Sequence, residues 1–215
     1  MSKSPKPSDL DLAALIASKI CHDVIGPVGA IGNGLEILQQ DGDKDSNSYA
    51  LEVINDVTHQ ASARLQYARF AFGAAGSAGA LIDLETARTI STGLVAGSKR
   101  NSKHSLNWNG PAGHLPKNQA KLLLNMVACA ITALPRGGTI DLVIGPDLAK
   151  PEFVFTCAGR GARSPQYLAE FIAGENEPEI DAMTIQAYYT VRLAQDTGLA
   201  LSITTDGEAI VLTAR

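Results

Sequence analysis

The sequence predicts an α plus α+β protein: an N-terminal antiparallel helical hairpin followed by an α+β sandwich. Three observations carry this reading. Residues 9 to 40 and 46 to 72 repeat apolar side chains at helical steps. So short a loop separates them that the two helices must lie antiparallel. After a run of small residues the periodicity becomes mixed, with short apolar strands set between helices.

Ser8 is a suitable N-cap for the first helix, with Asp9 and Asp11 in its first turn. Its apolar stripe runs Ile16, Ile20, Val24, Pro27, Ile31, Leu35 and Leu38, and Asp41-Gly42-Asp43 supplies a stop and turn. The second helix has the stripe Ala50, Val53, Val57, Ala61, Leu65, Ala68 and Phe72. At the usual helical rise each helix is on the order of 40–45 Å long. A lone hairpin of that length leaves much of its apolar stripe in water. A second copy would cover it as a dimeric four-helix bundle; the alternative is a monomer whose second domain packs along the hairpin. The chain thus divides into a disordered lead (1–8), the hairpin (9–73), a linker (74–80) and a second domain (81–215).

In the second domain, Leu84 to Ser98 reads as a helix, Ser105 to Trp108 as a strand, and Lys117 to Leu134 as a strongly apolar helix. Strands follow at 139–144 and 153–157, helices at 165–173 and 183–197, and a hairpin turns at Asp206-Gly207 between strands 199–205 and 208–213. The sheet is expected to be largely antiparallel.

Composition bounds the function. The chain has 215 residues, 45% hydrophobic and 19% charged, with a formal net charge of −4. That balance carries no global footprint for nucleic acid or anionic membrane. No continuous apolar run reaches the ~18 residues of a bilayer span, and the polar N-terminus lacks a signal-peptide core, so the expected location is the cytoplasm. Cys21, Cys129 and Cys157 are too far apart for a Cys-x-x-Cys pair, which fits reduced thiols and no zinc site.

The chemistry concentrates at Ile20-Cys21-His22-Asp23-Val24-Ile25-Gly26-Pro27. His22 lies two residues from both Ile20 and Val24, so it points away from the buried stripe. Asp23 can hold one ring N–H, fix the tautomer and leave the other nitrogen free to attack a phosphoryl group. Pro27 has no N–H, so the carbonyl of Asp23 loses its helical donor. Gly26 and Gly29, on the turns after His22, leave a bare surface for a docking partner, whereas Gly32 and Gly34 fit close helix packing. Folding the hairpin at its loop sets His22 level with Leu65, flanked by Arg64 and Gln66. There Arg64 either steadies a phosphoryl group, pairs with an acidic partner or is simply solvated. Lys19, one turn before Asp23, joins the supporting set. His59 reads as a solvated residue, and His104 and His114 as structural.

Residues 22–28 resemble the H-box of two-component sensor histidine kinases. The hairpin resembles their dimerisation and phosphotransfer domain, and residues 80 to 215 their GHKL (Bergerat) ATP-binding domain. Pro135-Arg136-Gly137-Gly138 supplies a kinase-like turn and Asn125 matches the first kinase Asn, but the magnesium-binding Asn falls on Cys129 and the Lys after it on Thr132. Gly159 and Gly161 match a glycine motif whose adenine-binding Asp is here Cys157. Where a phosphate loop is expected stands Ile185-Gln186-Ala187-Tyr188-Tyr189. A thiol cannot replace an oxygen ligand on Mg²⁺, and bulky tyrosines do not form a phosphate cradle. The resemblance therefore implies a degenerate ATPase-like domain.

A phosphoacceptor His on such a scaffold is similar to the alphaproteobacterial histidine phosphotransferases of the cell-cycle phosphorelay. That resemblance implies a homodimer that passes a phosphoryl group from the receiver domain of a hybrid histidine kinase to response-regulator receivers. It implies no cofactor in this chain, with Mg²⁺ carried by the receiver. Two other readings stay open: a non-catalytic scaffold or inhibitor of a histidine kinase, and an atypical ATP-using kinase.

Overall fold

The structure, a computed structural model, describes residues 6–40, 44–73, 79–97, 102–175 and 177–215. Residues 1–5 of the expected lead (1–8), the turn at 41–43 and residues 74–78 of the expected linker (74–80) lie outside the described residues, as does Ser98. Helix α1 is Asp9–Gln39 and α2 is Lys44–Ala71. Ser8 caps α1: its hydroxyl accepts from the Asp11 N–H at 3.2 Å, and the Asp11 carboxylate accepts from the Ser8 N–H at 3.2 Å. This reciprocal pair satisfies donors that the first turn leaves open.

α1 and α2 pack antiparallel along most of the expected stripe, with two corrections. Leu35 is exposed and Gly34 is buried in its place, since a Cβ there would stand 2.6 Å from Cγ1 of Ile54. Leu65 is also exposed, because the inward line of α2 turns through Ala61, half-buried Arg64, Tyr67, Ala68 and Ala71. The phase drifts there because the end of α2 must face the second domain as well as α1. Gly32, expected in a packed position, has nothing within 4 Å of an added Cβ.

The second domain opens with β1 (Leu81–Asp83) and α3 (Leu84–Ala96), then β2 (His104–Asn109), β3 (His114–Pro116) and α4 (Lys117–Ala133). It continues through β4 (Gly138–Ile144), β5 (Phe153–Ala158), α5 (Gln166–Ala173), α6 (Ile185–Thr197), β6 (Leu201–Asp206) and β7 (Ala209–Ala214). The main sheet has the order β2-β4-β5-β7-β6, and within it only β2–β4 is parallel. β1 and β3 form a separate antiparallel pair, with Ile82 opposite Leu115. That pair was not expected, because three-residue strands carry no readable alternation and are made by long-range pairing.

α4 lies at the centre of the core. Leu122, Leu123, Leu124, Met126 and Val127 are all buried, so the helix is apolar nearly all round. Tyr67 and Ala71 of α2 belong to the same core cluster, and Leu12, Leu15 and Ile16 of α1 pack against it. The hairpin is therefore seated on the second domain through the end of α2 and the start of α1.

α1 also corrects the expectation about membrane-length segments. Asp9–Gln39 is long and apolar enough to cross a bilayer by length and composition, with a window of mean hydropathy 1.4 of which 6% is buried. The reason is a second apolar face. Leu10, Ala14, Ala17, Cys21, Ile25, Val28, Gly32 and Leu35 recur at steps of three and four and are all exposed.

Candidate functional site

His22 stands on α1 with 82% of its side chain exposed. Its Nδ1 lies 3.4 Å from Oδ1 of Asp23, which is longer than an ordinary hydrogen bond. Nε2 takes no protein partner among the described residues. The Asp23 carboxylate is shared, because its Oδ2 accepts a hydrogen bond from Nζ of Lys19 one turn earlier. A helical i, i+4 pair of this kind, with the Lys19 side chain only 19% exposed, fixes the carboxylate beside the imidazole. Ring and carboxylate are thus already close enough for a small rotation to close the hydrogen bond when the imidazole gains charge.

Pro27 is buried inside α1, and the carbonyl it leaves without a helical donor is found by another residue. The guanidinium of Arg64 reaches across from α2 and donates to the carbonyl oxygen of Asp23. This backbone contact is not among the three possibilities raised for Arg64 from sequence. Gln66 is not at the site: it is exposed and its amide meets Ser62 at 3.5 Å on its own helix. Gly26 and Gly29 have open space around them, with nothing within 4 Å of an added Cβ.

Beneath His22 a cleft of about 550 Å³ opens between the hairpin and the second domain. Lys19, His22, Asp23 and Arg64 line its hairpin side, and Leu94, Thr132, Met183 and Gln186 its far side. Met183 is 71% exposed there. Sequence reasoning missed Tyr67, Met183 and Gln186 as neighbours of this region. Only Tyr67 left a signal, since it lies three residues after Arg64 on the inward line of α2.

The kinase-like positions of the second domain are occupied by structural contacts. Asn125 is fully buried and its Nδ2 donates to the carbonyl oxygens of Ala71 at 3.1 Å and Lys121 at 2.8 Å. Its Oδ1 accepts from Nε2 of Gln186, which also donates to the hydroxyl of Tyr67 at 3.2 Å. Lys121 donates to the carbonyl oxygen of Phe72 at 3.4 Å. Two side chains of α4 thus satisfy carbonyls at the C-terminal end of α2. Burial pushes the Cys129 thiol up to about 11 and Cys157 up to about 12, so both are neutral thiols at pH 7. Tyr188 packs its ring edge on Phe171 at 5.6 Å, and Tyr189 packs on Phe72 at 5.5 Å. A cavity of about 470 Å³ remains beside them, lined by Cys129, Thr132, Arg163, Tyr167, Met183 and Gln186 among others.

Of the other histidines, His114 is exposed on β3. His104 Nε2 meets the Leu134 carbonyl oxygen at 2.9 Å, while His59 is exposed on the outer face of α2.

Comparison with known proteins adds three findings. The histidine phosphotransferase C-terminal domain family matches residues 84–209. Protein phosphotransferase ChpT of Brucella abortus (strain 2308) is 46% identical over 209 residues, covering 96% of each chain. A solved structure of a bacterial phosphotransferase is similar at 42% identity and a TM-score of 0.89, covering 100% of both chains.

Proposed function

The chain belongs to the histidine phosphotransferase family, and on that premise we propose that His22 is the residue that carries the phosphoryl group between two-component proteins. The observation that supports this best is the solvent-facing imidazole with an anchored carboxylate beside Nδ1 and, among the described residues, no protein partner on Nε2.

In the proposed reaction, Nδ1 keeps its proton and Nε2 holds the lone pair. Nε2 attacks the phosphorus of an aspartyl phosphate on a receiver domain. The N–P bond forms as the P–O bond to the receiver breaks, and the receiver's carboxylate leaves. The imidazole becomes a phospho-imidazolium whose Nδ1–H points at Asp23, and the carboxylate offsets that positive charge. A second receiver's Asp takes the group by the reverse steps. Most of the rate comes from holding His22 in line with the donor. Magnesium belongs to the receiver, where it shields the phosphoryl oxygens.

Receiver domains of a hybrid histidine kinase and of response regulators are the proposed donors and acceptors, in the cytoplasm and, by resemblance, in a cell-cycle relay. The chain acts as a homodimer through the exposed apolar face of α1, from Leu10 to Leu35. It uses no ATP, because Asn125 and Gln186 are committed to the α2 carbonyl and to Tyr67, and because Cys129 and Cys157 are neutral and buried.

The test is to mix the purified chain with phosphorylated receivers in the absence of ATP and follow the label. Wild type should acquire label and His22→Ala none. Label retained on His22→Ala would refute the assignment. Label acquired from γ-labelled ATP alone would refute the ATP-independent part.

A further inference from the structure

From the contact between Arg64 and the Asp23 carbonyl, we infer that Arg64 is a positioning residue, which holds His22 in register by replacing the backbone donor that Pro27 removes. The inference rests on the reading of His22 as the phosphoacceptor.

Each step is local. In a regular helix the carbonyl of residue 23 would accept from the N–H of residue 27. Residue 27 is a proline, so that acceptor is orphaned. The contact between this carbonyl and α2 is partly buried, and an unmet acceptor there is costly. Arg64 is half-buried on the inward line of α2 and delivers a charged donor to it. Asp23 in turn carries the carboxylate beside Nδ1 of His22. Arg64 therefore acts on the imidazole through the backbone of Asp23, and among the described residues the turn between His22 and Pro27 has no other hydrogen bond to α2.

This makes Pro27 and Arg64 a matched pair, and the pairing separates a positioning role from direct contact with the phosphoryl group. Replacing Pro27 with Ala restores the N–H at residue 27, so the Asp23 carbonyl regains its helical donor and Arg64 becomes redundant.

The experiment is a double-mutant cycle on the full chain, with Arg64→Ala, Pro27→Ala and the pair, plus Arg64→Lys as the conservative variant. Two quantities are read: the phosphotransfer rate at saturating phosphorylated receiver, and amide hydrogen exchange of the peptide spanning residues 20–30. In the native background, Arg64→Ala should slow saturated transfer roughly tenfold and speed exchange in that peptide, while Arg64→Lys keeps most of both because an ammonium also donates. In the Pro27→Ala background, Arg64→Ala should change either quantity less than about twofold. Equal slowing in both backgrounds would overturn the inference and put the guanidinium on the phosphoryl group or the partner. A rise in half-saturating receiver concentration with no change in the saturated rate would overturn it likewise. If wild type took no label, or if His22→Ala were labelled as well, the functional reading would fall. The exchange cycle would then still decide whether the tether exists.

Discussion

Asn125 of α4 donates its side-chain amide to the carbonyl oxygen of Ala71, at the last residue of α2. This bond ties the second domain to the hairpin that presents His22. By sequence Asn125 matches the first Asn of the resembled kinase motif, not the magnesium-binding one, which falls on Cys129. Here its donor and acceptor atoms are spent on Ala71, Lys121 and Gln186.

Removing that amide should loosen the whole assembly. Asn125→Ala leaves the Ala71 carbonyl unmet in a buried position and removes an acceptor from Gln186. An unmet buried partner costs about 1–3 kcal/mol. In a chain of this size that is a fall in melting temperature of roughly 2–12 °C. Thermal unfolding followed by circular dichroism measures it. An unchanged melting temperature would show that the Asn125 network does not hold the domains together.

Two glycines on one helix should respond in opposite senses. An added Cβ at Gly29 meets nothing within 4 Å, so Gly29→Ala gains helix propensity, roughly 1 kcal/mol. At Gly34 the added carbon stands 2.6 Å from Cγ1 of Ile54. The same propensity gain is offset there by overpacking, which typically costs about 1–3 kcal/mol. Urea midpoints should place Gly29→Ala above wild type and Gly34→Ala clearly below Gly29→Ala. Equal midpoints for the two variants would contradict the packing of α1 on α2.

The hairpin was largely legible because long helices repeat their signal many times: α1, its Ser8 cap and the outward direction of His22 all follow from stepping along the chain. Errors appear where a second surface competes. Leu65 fits the stripe of α2 by sequence, yet Arg64 and Tyr67 take the inward positions because the end of α2 serves both α1 and α4. The orphaned Asp23 carbonyl was readable from Pro27, but its donor was not, since Arg64 reaches it from 41 positions away. The same limit hid the β1–β3 pair and the link from Gln186 to Tyr67, which only tertiary folding creates.

The buried thiols predict an alkaline weakness. Cys129 and Cys157 have an ordinary value of 9.0 and are raised to about 11 and about 12 when folded. Above pH 9 the unfolded chain loses these protons while the folded chain keeps them, so stability falls as pH rises toward the folded values. Tyr67, raised well above its ordinary 10.0 by burial, adds to the fall. Lys121 pulls the other way below its ordinary 10.5, because desolvation lowers its folded value. The unopposed window is therefore from about pH 10.5 upward. Urea midpoints measured against pH should drop there in wild type and drop less in Cys157→Ala. A flat profile in that window would contradict the burial of both thiols.

The exposed face of α1 carries the last expectation. Ile25 is 72% exposed and Leu10 83%, far from what aliphatic side chains on a helix with a well-formed core normally tolerate in a row. Ala14, Ala17, Cys21 and Gly32 keep the line narrow between the larger residues, so a second helix could approach closely along it. A second copy related by a two-fold axis covers the face and gives the proposed four-helix bundle, with His22 left outside because it lies on a neighbouring face of α1. Leu10→Glu combined with Leu35→Glu puts a carboxylate near each end of the line, away from His22, and burying either one unpaired is costly. Sedimentation should therefore give a two-chain mass for wild type and a one-chain mass for the double variant, while circular dichroism stays helical. A one-chain mass for wild type would remove the dimer from the proposal and leave this apolar face without its occupant.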